Sequence, residues 1–330
     1  MSKDLAVLDP AGGAVTLWRE IVEGMEQHAR QSRRPSTWRA YTLDFRTWER
    51  WAASHGVSAL PASSTDVAAF ISDTFRTHGR KLSTLKRYVA SISVMHSLKG
   101  HPFEPSAVVI KTQLKGIAED EKLKPRRKVR PFMAENVRSM LDTASPRLED
   151  VRDAAVLALG VATTRRRSEI AGLDFATRGD GTGVLELLED GAVFRLHEGK
   201  TVKRSGEPHE VFIQPGPALR AIKMWIECAG ILPGQPVFRG ITNKKPKATR
   251  ISDQTIALIV KKRCAELGLD AKHYSGHSLR AGGITSMAEA GLAEHIMRLT
   301  TGHSDKSREL AGYIRPVEKK RHAVTNKIGL

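Results

Sequence analysis

Near the end of this 330-residue chain, four groups that can act on a phosphate fall within forty residues. They are His277 and Arg280 in His277-Ser278-Leu279-Arg280, then His303 in Gly302-His303, then Tyr313 in Tyr313-Ile314-Arg315. About a hundred residues upstream, Arg165-Arg166-Arg167-Ser168-Glu169-Ile170 reads as an arginine-bearing helix start. A phosphodiester is anionic and gains charge as a fifth oxygen approaches phosphorus. Guanidinium groups grip two oxygens in a planar fork and stay charged at any relevant pH. His277 and Arg280 are three apart and share a face if the segment is helical. A neutral imidazole could accept a phenolic proton, and an imidazolium could bind the phosphate. The order Arg, His-x-x-Arg, Gly-His, Tyr therefore describes a site that holds a phosphodiester between cations and attacks it with a phenol. Of four tyrosines, Tyr41 and Tyr88 fall on helical core faces, and Tyr274 is the competitor to Tyr313 as nucleophile.

Composition points to the same class of partner. The net charge is +17, and a surface that positive attracts a polyanion through release of condensed counterions. The apolar fraction of 40% fits a globular protein with a core, and the length fits two domains. Cys228 and Cys264 have no paired spacing, which argues against a disulfide framework or a cysteine zinc site. His273 and His277 are four apart but lack the glutamate of a zinc helix, and no acidic cluster suggests a magnesium site. No cofactor is expected. Residues 1–15 lack the pattern of a secretory signal, and the longest apolar stretch, 154–162, is too short to span a bilayer, so the expectation is a cytoplasmic protein acting on double-stranded DNA, with no membrane partner.

The elements that must position these residues are mostly helical. Residues 1–14 read as a tail, and 15–121 as an all-helical, DNA-binding module. A helix from Val15 is followed by others beginning near Ser36, Ser64 and Ser83, with a fourth over about 105–119; their apolar residues recur near a 3.6 period. The stripe Tyr41, Phe45, Trp48, Trp51 reads as helix core, although aromatic side chains can also stack on bases. Lys81, Lys86 and Arg87 fall on the outer face of the third of these helices, placed to meet phosphates. Residues 122–131 carry Lys122, Lys124, Arg126, Arg127, Lys128 and Arg130 with two prolines, the pattern of an extended basic linker that could track a DNA backbone. Residues 132–330 form the second module, with helices over 134–143 and 148–163. Short β-type runs across 183–214 predict a three-stranded antiparallel sheet. Helices then follow over 218–229, 252–267, 281–290, 294–299 and 307–313, with a final amphipathic piece over 317–328.

Thr163-Thr164-Arg165-Arg166-Arg167-Ser168-Glu169-Ile170 resembles the first box of the tyrosine recombinase (phage integrase) family, which usually reads Thr-Gly-Leu-Arg-x-Ser-Glu-Leu. His277-Ser278-Leu279-Arg280-Ala281-Gly282 resembles the second box, and Gly302-His303 with Tyr313-Ile314-Arg315 the remainder, closest to the Cre-like branch. The similarity covers roughly residues 15–328. The resemblance implies a mainly α fold, with a helical core-binding domain and an α-rich catalytic domain carrying a small antiparallel β-sheet. It selects Arg166 as the first clamp, since that residue lies three before Glu169, and leaves Arg165 and Arg167 as solvated or DNA-backbone contacts. It implies Tyr313 as nucleophile, a 3′-phosphotyrosyl intermediate, and Glu169 as the acid that orients Arg and His. Lys200, in Gly199-Lys200-Thr201, becomes the general acid, with Lys203 as the second choice. His303 becomes a donor to the phosphate or a packing support. A homotetramer on two sites exchanging strands through a Holliday junction is implied, with no metal or ATP. A type IB topoisomerase-like or telomere-resolvase-like enzyme, or a DNA-binding protein lacking an aligned nucleophile, are the alternatives. Two departures stand out: Thr164 and Arg165 replace the usual glycine and apolar residue, and His303 to Tyr313 spans ten residues where nine is usual.

Overall fold

The computed structural model describes residues 35–122, 129–143, 145–199, 202, 206–304, 307 and 309–322, and the chain divides into two compact units, 1–126 and 127–330. The tail and the helix expected from Val15 lie outside the described residues.

Among the described residues, four helices build the first unit: α1 Pro35–Ser54, α2 Ser64–His78, α3 Leu82–Leu98 and α4 Val108–Lys122. Ser63 caps α2 by accepting from the Asp66 amide at 3.0 Å, and Gly79 ends it in the left-handed region. The aromatic stripe is core: Trp48 is fully buried, stacks on Trp51 and meets Phe70 edge-on. Burying Trp48 still satisfies its indole, which donates to the Ala59 carbonyl at 2.9 Å.

The second unit opens with α5 Ala134–Asp142, α6 Leu148–Thr163 and the short α7 Arg167–Ala171. Among the described residues the sheet has four strands, not three: β1 Leu173–Phe175, β2 Gly183–Leu188, β3 Gly191–Leu196 and β4 His209–Ile213, in that order. The antiparallel β2–β3–β4 meander matches the sequence reading, with Leu185 opposite Phe194 and Phe194 opposite Val211. The three-residue β1 adds parallel to β2; a strand that short carries no alternation to read. After α8 Pro217–Cys228 comes a hairpin the sequence did not announce, β5 Arg239–Thr242 and β6 Lys245–Arg250. Its residues are polar and basic, so no hydrophobic period marks it. Arg250 anchors the hairpin instead, donating to the carbonyls of Ala171 (3.1 Å) and Leu173 (2.8 Å) and to buried Asp174 (2.6 Å).

α9 Asp253–Glu266 and a 3-10 turn, Ala271–His273, lead to α10 His277–Glu289. The helix begins at His277 itself, four residues earlier than expected. α11 Glu294–Thr301 follows, ending at Gly302 with φ 65°. Tyr313 lies in the first turn of a single helix, α12 Ala311–Arg321, rather than at the end of one over 307–313; the helix runs through Pro316 into the segment expected from Val317. Among the described residues, no helix is long and apolar enough to cross a membrane.

α6 is the hub of this unit. Eleven of its sixteen residues are buried, so it takes neighbours on nearly every side. α10 crosses it at small residues: a Cβ on Gly160 would lie 2.7 Å from Leu279 Cδ1, and one on Gly283 would lie 2.2 Å from the Val161 carbonyl oxygen. This close approach brings the loop after α6 and the start of α10 together.

Candidate active site

Four elements end at one place: the turn between α6 and α7, the first turns of α10, the loop after α11, and the start of α12. Thr164 stops α6 in the left-handed region at φ 54°, the conformation that favours the glycine usual at this position. The turn exposes the Thr164 carbonyl to Arg280, whose Nη1 donates to it at 2.8 Å. Arg280 Nη2 also donates to the Thr301 carbonyl at 3.1 Å and lies 3.0 Å from His303 Nε2. One guanidinium thus ties three of the four elements together while only 3% exposed. Burial, with the nearby Arg166 charge, lowers its pKa to about 10, so it stays cationic at neutral pH.

Arg166 occupies the N-cap of α7. Its amide donates to Glu169 Oε2 at 3.0 Å and its Nη1 to Oε1 at 2.8 Å, with the guanidinium about one-third exposed. Burial pushes Glu169 up, but the charges of Arg165 and Arg166 and the Arg166 hydrogen bonds outweigh it and hold the carboxyl below its usual range. Glu169 therefore remains an anion that fixes one edge of the Arg166 fork.

His277 Nε2 lies 3.1 Å from the Tyr313 hydroxyl. Burial lowers the His277 pKa, and the Arg280 and Arg166 charges add to this against the opposing charge of Glu309. The imidazole is accordingly neutral at pH 7 and can accept a proton on Nε2. Burial raises the Tyr313 pKa, with Arg280 opposing, so the phenol keeps its proton until a base takes it. His303 is pushed down to about 4, first by burial and then by Arg280, and its Nδ1 lies 2.8 Å from Thr301 Oγ1. The ten-residue interval before Tyr313 does not displace the phenol from His277.

Tyr274 is a core residue. It is 7% exposed, meets Phe132 edge-on, and burial raises its pKa. Arg165 is not solvated but fully buried, the reverse of the expectation for a residue flanking Arg166. Arg167 is about half exposed, pairs with Asp253 at 3.1 Å, and lies over Gly276, where a Cβ would be 2.7 Å from its Cδ.

Lys200 and Lys203 lie outside the described residues. Gly199, just before Lys200, is close to the site: a Cβ built there would lie 3.6 Å from Glu169 Oε1. Of the other expected DNA contacts, Lys81 and Lys86 are exposed. Arg87 is exposed too but spends Nε and Nη2 on buried Asp44, at 2.5 and 3.0 Å, which makes it a link between α1 and α3. Lys124, Arg126, Arg127, Lys128 and the Lys122 side chain lie outside the described residues. Arg130 is exposed, and the backbone from Arg130 to Phe132 runs along the approach to α10: Arg130 N donates to the His273 carbonyl and Phe132 N to the Ser278 carbonyl, both at 2.9 Å. Exposed Lys244, Lys245 and Lys247 on the β5–β6 hairpin were missed by the sequence reading, for want of any recognisable strand there.

The family model for the phage integrase family matches residues 131–319. This chain belongs to that family. It is a tyrosine recombinase, and its relatives include an integrase/recombinase xerD homolog from Selenomonas ruminantium. That protein is 30% identical over 287 residues, spanning 84% of this chain and 81% of the relative. Recombinase cre of Escherichia phage P1 is 22% identical over 292 residues, spanning 80% and 79%. The fold matches solved integrases at lower identity. XerH recombinase bound to a palindromic difH substrate gives a TM-score of 0.60 at 15% identity, covering 87% of this chain and 79% of that one. The Tn1549 transposon integrase with transposon right end DNA gives 0.59 at 16%, covering 92% and 98%.

Proposed function

We propose that this tyrosine recombinase cleaves and rejoins DNA at specific sites through Tyr313, with Arg166, His277, Arg280 and His303 as its catalytic partners and Glu169 in support. The observation that carries the assignment is the 3.1 Å contact between a neutral His277 Nε2 and the Tyr313 hydroxyl beside two guanidiniums. Tyr313 Oη attacks the phosphorus as His277 Nε2 takes the phenolic proton, and the bond to the 5′ oxygen breaks. The developing charge on the non-bridging oxygens faces Arg166 and Arg280, whose remaining N–H groups can turn toward it, with His303 beside them. Lys200 protonates the leaving 5′ oxygen, a role favoured over Lys203 by the place of Gly199 next to Glu169. The product is a 3′-phosphotyrosine and a free 5′-hydroxyl. Because the linkage conserves the energy of the phosphodiester, a second 5′-hydroxyl can reverse the attack and complete a strand exchange without ATP or metal.

The 15–121 module, the linker 122–131 and the 132–330 catalytic domain would each supply contacts to DNA, with Lys81, Lys86 and Arg130 among the cations available to phosphates. The working form is a homotetramer on two sites that passes through a Holliday junction.

The test begins with duplexes selected from randomised DNA by the Tyr313→Phe protein. A nicked version that loses its 5′-hydroxyl fragment on cleavage should trap the wild-type protein as a denaturant-resistant adduct, with the linked peptide containing Tyr313. Tyr313→Phe should give none. An adduct at Tyr274, or no adduct with any selected duplex, would reject the assignment.

A further inference from the structure

Arg165 stands where an apolar residue is usual, and it is among the largest fully buried side chains in the protein. Burying a guanidinium costs several kcal/mol unless its donors are met. Here they are met by neutral groups: Nε donates to the Thr163 carbonyl at 3.0 Å, Nη2 to the Thr300 carbonyl, and Nη1 lies 3.3 Å from His209 Nδ1. The Phe194 ring backs the guanidinium at 6.0 Å. Arginine can only donate, so His209 Nδ1 must be the unprotonated nitrogen and Nε2 carries the hydrogen.

The last carbonyls of a helix have no intrahelical donors. At the end of α11, the last two are met by buried arginines from two other elements: Thr300 by Arg165 and Thr301 by Arg280. The next two residues are Gly302, in the left-handed region, and His303. α11 itself is short, and Leu299 on its outer face is largely exposed. Packing on one side alone does not fix where such a helix ends; these hydrogen bonds do.

We propose that Arg165 is a positioning residue for DNA cleavage: from beneath the site, with His209 as one of its acceptors, it holds the C-terminal turn of α11 so that His303 meets the scissile phosphate beside Arg280. It reaches no solvent, so it touches no DNA. The inference rests on the site reading above.

Arg165→Met and Arg165→Lys separate this role from a stabilising one. On the selected nicked duplex, Arg165→Met should bind DNA within about threefold of wild type yet form the adduct at least about tenfold more slowly, the scale expected when a reacting group drifts by a fraction of an ångström. Arg165→Lys, which keeps a donor and the charge, should recover part of that rate at the same affinity. Adduct formation by Arg165→Met within twofold of wild type would overturn the proposal, as would affinity falling in parallel with rate. If Arg165→Met does not fold, as judged by circular dichroism, Arg165→Lys decides: a slower rate at unchanged affinity supports the role, and wild-type kinetics overturn it. Failure of the wild-type protein itself to form an adduct would instead reject the assignment of the site.

Discussion

Replacing Gly282 with alanine tests how tightly the backbone fixes α10. Gly282 is a buried residue of α10, between Arg280 and the rest of the helix. On an exposed helix, alanine in place of glycine stabilises by about 1 kcal/mol. Here a Cβ would lie 1.7 Å from the Phe132 carbonyl oxygen, 2.4 Å from its carbon and 3.0 Å from its nitrogen. All three are backbone atoms, so no side chain can swing aside. Reaching even a 3.0 Å separation from the oxygen requires a shift of at least about 1.3 Å. The hydrogen bond from Phe132 N to the Ser278 carbonyl spans the same gap and would be strained or lost, at about 1 kcal/mol. Overpacking of this kind costs about 1–3 kcal/mol or more. The clash outweighs the propensity gain, and a net loss of about 2 kcal/mol is expected. Because α10 carries His277 and Arg280, a shift of that size would also slow cleavage about a hundredfold. Urea unfolding and single-turnover adduct formation measure the two effects. Gly116→Ala is the control: it lies in α4 with nothing within 4 Å of a new Cβ, and should gain about 1 kcal/mol. If Gly282→Ala matched Gly116→Ala in stability and kept wild-type cleavage, the argued closeness of α10 to the 130–132 backbone would be wrong.

Cleavage should fall as pH drops through the His277 pKa, which burial and Arg280 hold below 6.5, because only the neutral imidazole accepts the Tyr313 proton. His277→Ala should remove that limb of the pH–rate profile and cost about 10²–10⁴ in rate. His209 and His303 bear on stability: each is pushed to about 4 from an ordinary 6.5, so between these values the unfolded chain binds more protons than the folded one. Stability should therefore be complete above about pH 6.5 and decline as pH falls toward 4, read by urea midpoints across that window; a flat midpoint would contradict the burial of these imidazoles. Thr164→Gly should stabilise by about 1 kcal/mol. It relieves a left-handed threonine and removes a buried hydroxyl that has no partner among the described residues, which outweighs the lost methyl contact and added chain entropy. A lower melting temperature would show that the Thr164 side chain contributes more by packing than it costs.

The order of the candidate site residues, the helical character of both units and the β2–β3–β4 meander were readable in the chain. Each depends on short-range signals: His277 and Arg280 are one helical turn apart, Ser63 caps its own helix, and alternating burial marks β4. Where local signal was missing, so was the element. The β5–β6 hairpin is held by Arg250 reaching β1, a contact 76 residues distant in the chain, and β1 is too short to show a period.

Tertiary structure alone decided which side each residue faces. Arg165, Arg166 and Arg167 look alike in sequence, yet the left-handed turn at Thr164 sends Arg165 under α11, Arg166 to Glu169 and Arg167 to Asp253. Tyr274 and Tyr313 were both candidate nucleophiles until packing buried one against Phe132 and set the other beside His277. The extra residue between His303 and Tyr313 could have moved the phenol out of reach; its effect depends on where α12 starts, which packing of α12 against α10 determines. Periodicity and motif spacing fix what a segment is, because they act over a few residues. Burial and hydrogen bonding between distant segments fix what a side chain does, because only the folded chain puts a donor, a charge or a wall beside it.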